Sequence, residues 1–351
     1  MNRVLIIKLW ALGDLLMATP LASALRAAYP GVEITWMADA LNADLLVGQP
    51  GIDQVLRINS GAWRRRLRKG NLVGWLREAR FWDRTLAEKE FDVVINCHAD
   101  LWWTRVLCPA PVRVGLFHTA KPSLLRRSYT NVVAKTTGHN TDYYLEGVKA
   151  LGLPGPFDRQ MKYVVLPDAE AEARAFLTNA SQFNSSLPLI VLHPGTSQEP
   201  KSWLPEQFAV VAEALSLHYT VVLTGSPKEA LLCETIAKML PSDTRPPLIA
   251  AGVLGGIGLS AALVKQARAV VTGDTLMLHL ASALGTPLVG IYGGSRPGDN
   301  APLFGPRRLL FDDTVPCAPC YKERCPLRGA EHLRCQRAVT PAQVLAALWS
   351  E

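Results

Sequence analysis

The sequence predicts an α/β protein built from two parallel-sheet units. Three observations predict it: apolar runs of strand length recur before helical stretches, 351 residues suffice for two cores, and a proline- and glycine-bearing passage separates two similar halves. The first run, 3–9, is apolar from Val4 to Ile7 and broken by Lys8, which also argues against a signal peptide. The chain then turns through Ala11-Leu12-Gly13-Asp14, and Thr19-Pro20 reads as the N-cap and first-turn proline of the main helix, with Asp14 in the approach to it. Runs at 32–37, 92–96 and 112–115 complete the strands expected in the first half, and 188–193, 220–224, 247–251, 268–272 and 287–292 supply the second.

Between the halves, "LGLPGPFDRQMKYVVLPDAEAEARAFL" (151–177) carries three prolines and two glycines before a helix from about Asp168. The expected organisation is a Rossmann-like unit over 1–170, a second over 171–335, and a closing segment, 336–351, whose helix has Thr340 as N-cap and Pro341 at its first position. In open α/β sheets ligands bind outside the carboxyl ends of the strands, so site residues are sought just after strands, around a cleft between the units.

Composition narrows the class. Lys and Arg outnumber Asp and Glu by 37 to 30, a formal +7 that favours an anionic partner without choosing among nucleic acid, phosphate and membrane. The most membrane-like stretch, 248–264, is 17 uncharged residues with four glycines and is short of the roughly 20 residues a membrane span needs, so a soluble cytoplasmic protein is expected. Seven cysteines include a cluster, Cys317-x2-Cys320-x4-Cys325-x9-Cys335, in which thiols or metal are favoured over disulfides. The first spacing suits zinc, with His332 as an alternate ligand, but the later ones match no standard finger, which favours a structural role.

Three strand tips of the second half carry polar, glycine-bearing turns. Pro194-Gly195-Thr196-Ser197 with Lys201 suits a phosphate, and equally an ordinary capped loop. Gly225-Ser226 followed by Lys228 and Glu229 fits a nucleoside pocket or a plain turn. Gly273-Asp274-Thr275 opens a helix whose N–H groups suit a diphosphate; Asp274 reads as an N-cap or a partner for a sugar hydroxyl, and His279 as a site residue or a buried structural one. "SGAWRRRLRKGNLVGWLREARFW" (60–82) adds a basic run interleaved with tryptophans, which taken by itself reads as a solvated helix face or mobile loop.

Together, "RVLIIKLWALGDLLMATPLASALRAAYP", "LHPGTSQEPKSWLPEQF", "GDTLMLHLASALGTPLVGIYG" and "CAPCYKERCP" resemble the family 9 glycosyltransferases, the ADP-heptose:lipopolysaccharide heptosyltransferases. The resemblance implies a GT-B fold, with the acceptor held by the first unit, the nucleotide-sugar donor by the second, and a final helix packing back on the first. It makes Asp14 the catalytic base for inverting transfer. Thr196, Ser197 and Lys201 become diphosphate contacts, Lys201 also stabilising the leaving group. Asp274, Thr275, Leu276, Met277 and His279 lie around the donor sugar and phosphates, and Glu229 on the nucleoside.

Many relatives carry glycine after the Asp-Thr or Asp-Ser pair, where Leu276 and Met277 stand here, which bears on donor identity. Gly13, Arg64, Arg65, Arg66, Arg68 and Lys69 fall on the acceptor side, joined by Lys121, Arg126 and Arg127, with Trp63, Trp75 and Trp82 near a lipid interface. The implied partners are an ADP-sugar co-substrate and an anionic glycolipid at the inner face of the inner membrane, with no metal, no further cofactor and no nucleic acid. Two alternatives stand beside this: a related transferase with another nucleotide-sugar and a non-lipid acceptor, and a non-catalytic nucleotide or nucleic-acid binder.

Overall fold

The computed structural model describes residues 1–119, 124–136, 138–253 and 255–349; Lys121 lies outside them. The chain forms two compact units, Met1–Lys162 and Tyr163–Glu351.

In the first unit, β1 (Arg3–Ile7), β2 (Glu33–Asp39), β3 (Gln54–Ile58), β4 (Val93–Asn96), β5 (Val112–Phe117) and β6 (Asn131–Ala134) form one parallel sheet, in the order β3-β2-β1-β4-β5-β6. Its helices are α1 (Leu12–Ala18), α2 (Pro20–Ala28), α3 (Ser60–Arg68), α4 (Leu72–Ala87) and α5 (Asn140–Lys149). β1 is central and wholly buried from Val4 to Ile7, which is why it reads as an unbroken apolar run. β3 and β6, absent from the sequence reading, are the two edges; half-buried strands such as Gln54–Ile58 lack the continuous run that marks a central one.

Pro20 does open α2, but Thr19 is helical and caps nothing. Its hydroxyl donates to Leu16 O at 2.7 Å, so α1 runs almost directly into α2. Trp63, Trp75 and Trp82, expected near a lipid interface, are core residues packed with Trp103. Trp63 stacks on Trp75 at 5.6 Å and meets Trp103 edge-on at 5.2 Å. Each such ring withdraws about 150–250 Å² from water, and α3 and α4 turn their tryptophan faces inward to do so.

In the second unit, β7 (Leu189–His193), β8 (Thr220–Leu223), β9 (Leu248–Ile249), β10 (Ala269–Gly273), β11 (Leu288–Ile291) and β12 (Arg307–Leu310) form a parallel sheet ordered β12-β11-β10-β7-β8-β9. The helices are α6 (Pro167–Asn179), α7 (Pro205–Ser216), α8 (Ala230–Lys238), α9 (Gly256–Gln266), α10 (Leu276–Leu284), α11 (Pro297–Asn300), α12 (Arg334–Arg337) and α13 (Pro341–Trp349). The division falls before 170 because α6 packs on α9 and so belongs to the second unit. Among the described residues no helix is long and apolar enough to cross a membrane; the 248–264 run begins as β9 and carries most of α9.

The closing helix differs from expectation. α13 lies on α7, β11 and β12, and puts Val344, Leu345 and Leu348 into the second unit's core. Its apolar face is satisfied there, and Trp349 stacks on Tyr219 at 5.1 Å.

Candidate functional site

At the carboxyl end of β1 the chain carries a buried lysine, an unusual placement unless the charge is paired. Lys8 is 2% exposed, and its Nζ donates to Trp10 O at 2.9 Å and to Asp14 Oδ2 at 3.2 Å. Asp14 occupies the first turn of α1 rather than the approach to the helix, and its side chain is 28% exposed. It is not the cap: Ala11 holds that place, at φ 63°, without a side-chain cap bond. A carboxylate there is favoured by the helix dipole and aimed by Lys8.

Around the pair, Tyr144 is kept protonated by burial and by the neighbouring Asp14 carboxylate. His98 accepts from Leu9 N at 2.9 Å through Nε2, and burial, then Lys8, holds it well below its ordinary pKa, so it stays neutral. Sequence reading missed Tyr144 and His98, which come from α5 and the segment after β4. The signal for Lys8 was present: a lysine inside an apolar strand end.

The basic run divides into different roles. The Arg64 guanidinium stacks 5.4 Å from the Trp10 ring centre, beside the β1 tip. Arg66 is committed to Glu78 at 3.4 Å, tying α3 to α4, whereas Arg65, Arg68 and Lys69 are exposed. Gly13 is half-buried within α1. Arg126 packs on Phe117 and donates to Thr119 O at 2.8 Å; Arg127 is exposed.

In the second unit, Asp274 follows β10 and Lys201 ends the turn after β7. Lys201 Nζ meets Asp274 Oδ2 at 2.7 Å, Ser295 Oγ donates to the same oxygen at 2.5 Å, and Asn300 Nδ2 lies 2.9 Å from both carboxylate oxygens. Burial opposes the charge on Asp274, but Lys201, Ser295 and then His279 outweigh it and lower its pKa. Asp274 is therefore no helix cap. Thr275 takes that role in α10, accepting from Met277 N at 3.2 Å. Ser295 and Asn300, far along the chain, were invisible to sequence reading.

Leu276 is half-exposed at the start of α10, while Met277 and His279 are buried. Thr196 Oγ1 donates to Gln198 O at 2.8 Å and lies 2.5 Å from Ser202 Oγ, which holds the turn; Ser197 is exposed. Glu229 forms a capping box with Ser226, accepting from Ser226 N at 2.6 Å. Its carboxyl fills the space a side chain at Gly195 would need.

A Cβ at Gly273 would lie 2.5 Å from Lys201 O. Gly273→Ala is expected to displace the Lys201 turn and cost about 1–3 kcal/mol in thermal or denaturant unfolding, as overpacking does. An unchanged midpoint would show that the turn yields freely.

The cysteine segment is tied to the turn before Lys201. Cys325 N donates to Glu199 Oε2 at 2.7 Å, and His332 Nε2 lies 3.2 Å from Glu199 Oε1. The four thiols are free; burial, then Cys317, Cys320 and Cys325, push Cys335 up to about 11. Among the described residues no group of three or more His, Cys, Asp or Glu side chains is arranged to hold a metal ion.

A family model, glycosyltransferase family 9 (heptosyltransferase), matches residues 79–331. The chain is 26% identical over 337 residues to lipopolysaccharide heptosyltransferase 1 of Pseudomonas aeruginosa, spanning 95% of this chain and 90% of that one. Among solved structures it is similar to a family 9 glycosyl transferase from Veillonella parvula DSM 2008, with TM-score 0.79, 23% identity, and 99% and 95% of the two chains covered. It is also similar to the ADP-heptose lipopolysaccharide heptosyltransferase II of E. coli, with TM-score 0.76, 22% identity, and 99% and 97% covered. These likenesses agree with the expected α/β fold of the GT-B class.

Proposed function

The chain belongs to glycosyltransferase family 9, and from that premise we propose that it transfers heptose, with inversion and without a metal, from ADP-heptose to the inner core of a lipopolysaccharide. In this reading Asp14 takes the proton of an acceptor hydroxyl as its oxygen bonds to the anomeric carbon. The bond from that carbon to the diphosphate breaks, and ADP leaves. The Lys201 ammonium has three N–H donors, of which Asp274 engages one. The others, with the N–H groups opening α10 and the Ser197 and Thr275 hydroxyls, offset the charge growing on the diphosphate. Arg64, Arg65, Arg68 and Lys69 meet the anionic acceptor.

The observation that carries the catalytic part is Asp14: a part-exposed carboxylate at the tip of the central strand, aimed by a buried ammonium. Heptose, ADP and the lipopolysaccharide acceptor rest on what the relatives are. The same reading places the protein in the cytoplasm, at the inner membrane face.

The test supplies purified protein with heptose-free core acceptor and ADP-heptose, or UDP- and GDP-sugars, with and without EDTA. Transfer is expected from ADP-heptose alone, unchanged by EDTA, with the product anomer opposite to the donor's by NMR. Preference for UDP would overturn the heptose assignment; loss of transfer in EDTA would overturn metal independence.

A further inference from the structure

The tryptophans of the basic segment are spent in the core, yet α4 exposes a different apolar set. Its first turns present Leu72, 56% exposed, and Val73, 71% exposed, with Leu76 on the same face one turn on. Beside them Trp102, 49% exposed, packs on Trp75 with ring centres 5.3 Å apart. An indole that is half wet and half packed suits the headgroup level of a bilayer.

Charge surrounds this apolar tip. Residues 60–84 hold eight Arg and Lys against two acids, six of the chain's formal +7. One acid, Glu78, is already matched by Arg66. Arg77 and Arg80 are exposed on the turns of α4 that follow Leu76, and Arg68 and Lys69 on the turn that precedes Leu72. Aliphatic side chains flanked by cations form the signature of a helix lying in the surface of an anionic membrane.

We propose that the α3–α4 hairpin docks on an anionic phospholipid bilayer, inserting Leu72, Val73 and Leu76 while Arg77 and Arg80 meet lipid phosphates. This deepens the proposed function and rests on it only for the reason a membrane is visited, namely a lipid-borne acceptor. The insertion itself involves no residue assigned to the donor or to the reacting hydroxyl.

The test is co-sedimentation of the full chain with phosphatidylcholine vesicles, with and without phosphatidylglycerol. Binding is expected only with the anionic lipid and to weaken with salt. The variant L72S/V73S/L76S is expected to lose about tenfold or more of that binding while keeping its circular dichroism and its turnover on a soluble, delipidated acceptor. R77Q/R80Q is expected to lose about fivefold per charge removed.

Wild-type binding by the triple-serine variant, or no vesicle binding by the wild type, overturns the proposal. So does a dimer in sedimentation equilibrium that the serine variant dissolves, since a second copy would then cover the face. Vesicle binding without transfer would sink the proposed function alone, and transfer without vesicle binding would sink this proposal alone.

Discussion

Asp14→Asn is expected to lower kcat by about 10²–10⁴-fold, the range a positioned general base supplies, or about 3–5 kcal/mol of barrier. The amide keeps an oxygen for Lys8 but cannot take a proton from the acceptor. ADP affinity should stay within about twofold, because the donor contacts are assigned to the other unit and the change removes no uniform binding. Lys8 loses the charge of its partner while retaining Trp10 O, so unfolding stability should fall by about 1–2 kcal/mol, the scale of a weakened charge-assisted hydrogen bond. Unchanged kcat in a folded variant would remove Asp14 as base. A loss of ADP binding as large as the loss of rate would point instead to collapse of the fold.

The sheets were legible where strands are central. β1, β4, β7 and β10 are buried on both faces, so their apolar runs announce them, whereas β3, β6 and β12 lie at sheet edges and present only half a face to the core. The candidate site was legible where chemistry sits on a strand tip: Asp14, Lys201 and Asp274 all follow strands, as open parallel sheets require.

What single residues bond to was not legible. The partner of Asp14 is six residues away across a turn at positive φ, and the partners of Asp274 lie at Lys201, Ser295 and Asn300, joined only by the fold. The tryptophans of α3 and α4 misled for a related reason. A run of arginine and tryptophan states that a helix is amphipathic, but the wheel alone does not say which residues the core takes, and here it took the rings.

Asp274→Ala is expected to destabilise the second unit by about 3–5 kcal/mol, the cost of removing one member of a buried ion pair. Lys201 would lose its counter-charge, Ser295 and Asn300 would lose their acceptor, and a hole would remain beneath the start of α10. Asp274→Asn separates charge from hydrogen bonding. Its oxygen can still accept from Ser295 or Asn300, but its NH₂ adds donors beside an ammonium, so roughly half of the loss should remain if charge dominates.

The pH dependence supplies the sign. Lys201 and Ser295, outweighing burial, hold the folded pKa of Asp274 below the ordinary carboxylate range, so the carboxylate contributes stability that is fully present above the unfolded pKa and lost as pH falls through the folded one. The gap in unfolding midpoint between wild type and Asp274→Asn should therefore be constant above about pH 5 and close below about pH 4. A gap that widened on acidification, or persisted unchanged to about pH 2, would mean that Asp274 does not act as a carboxylate held charged by Lys201.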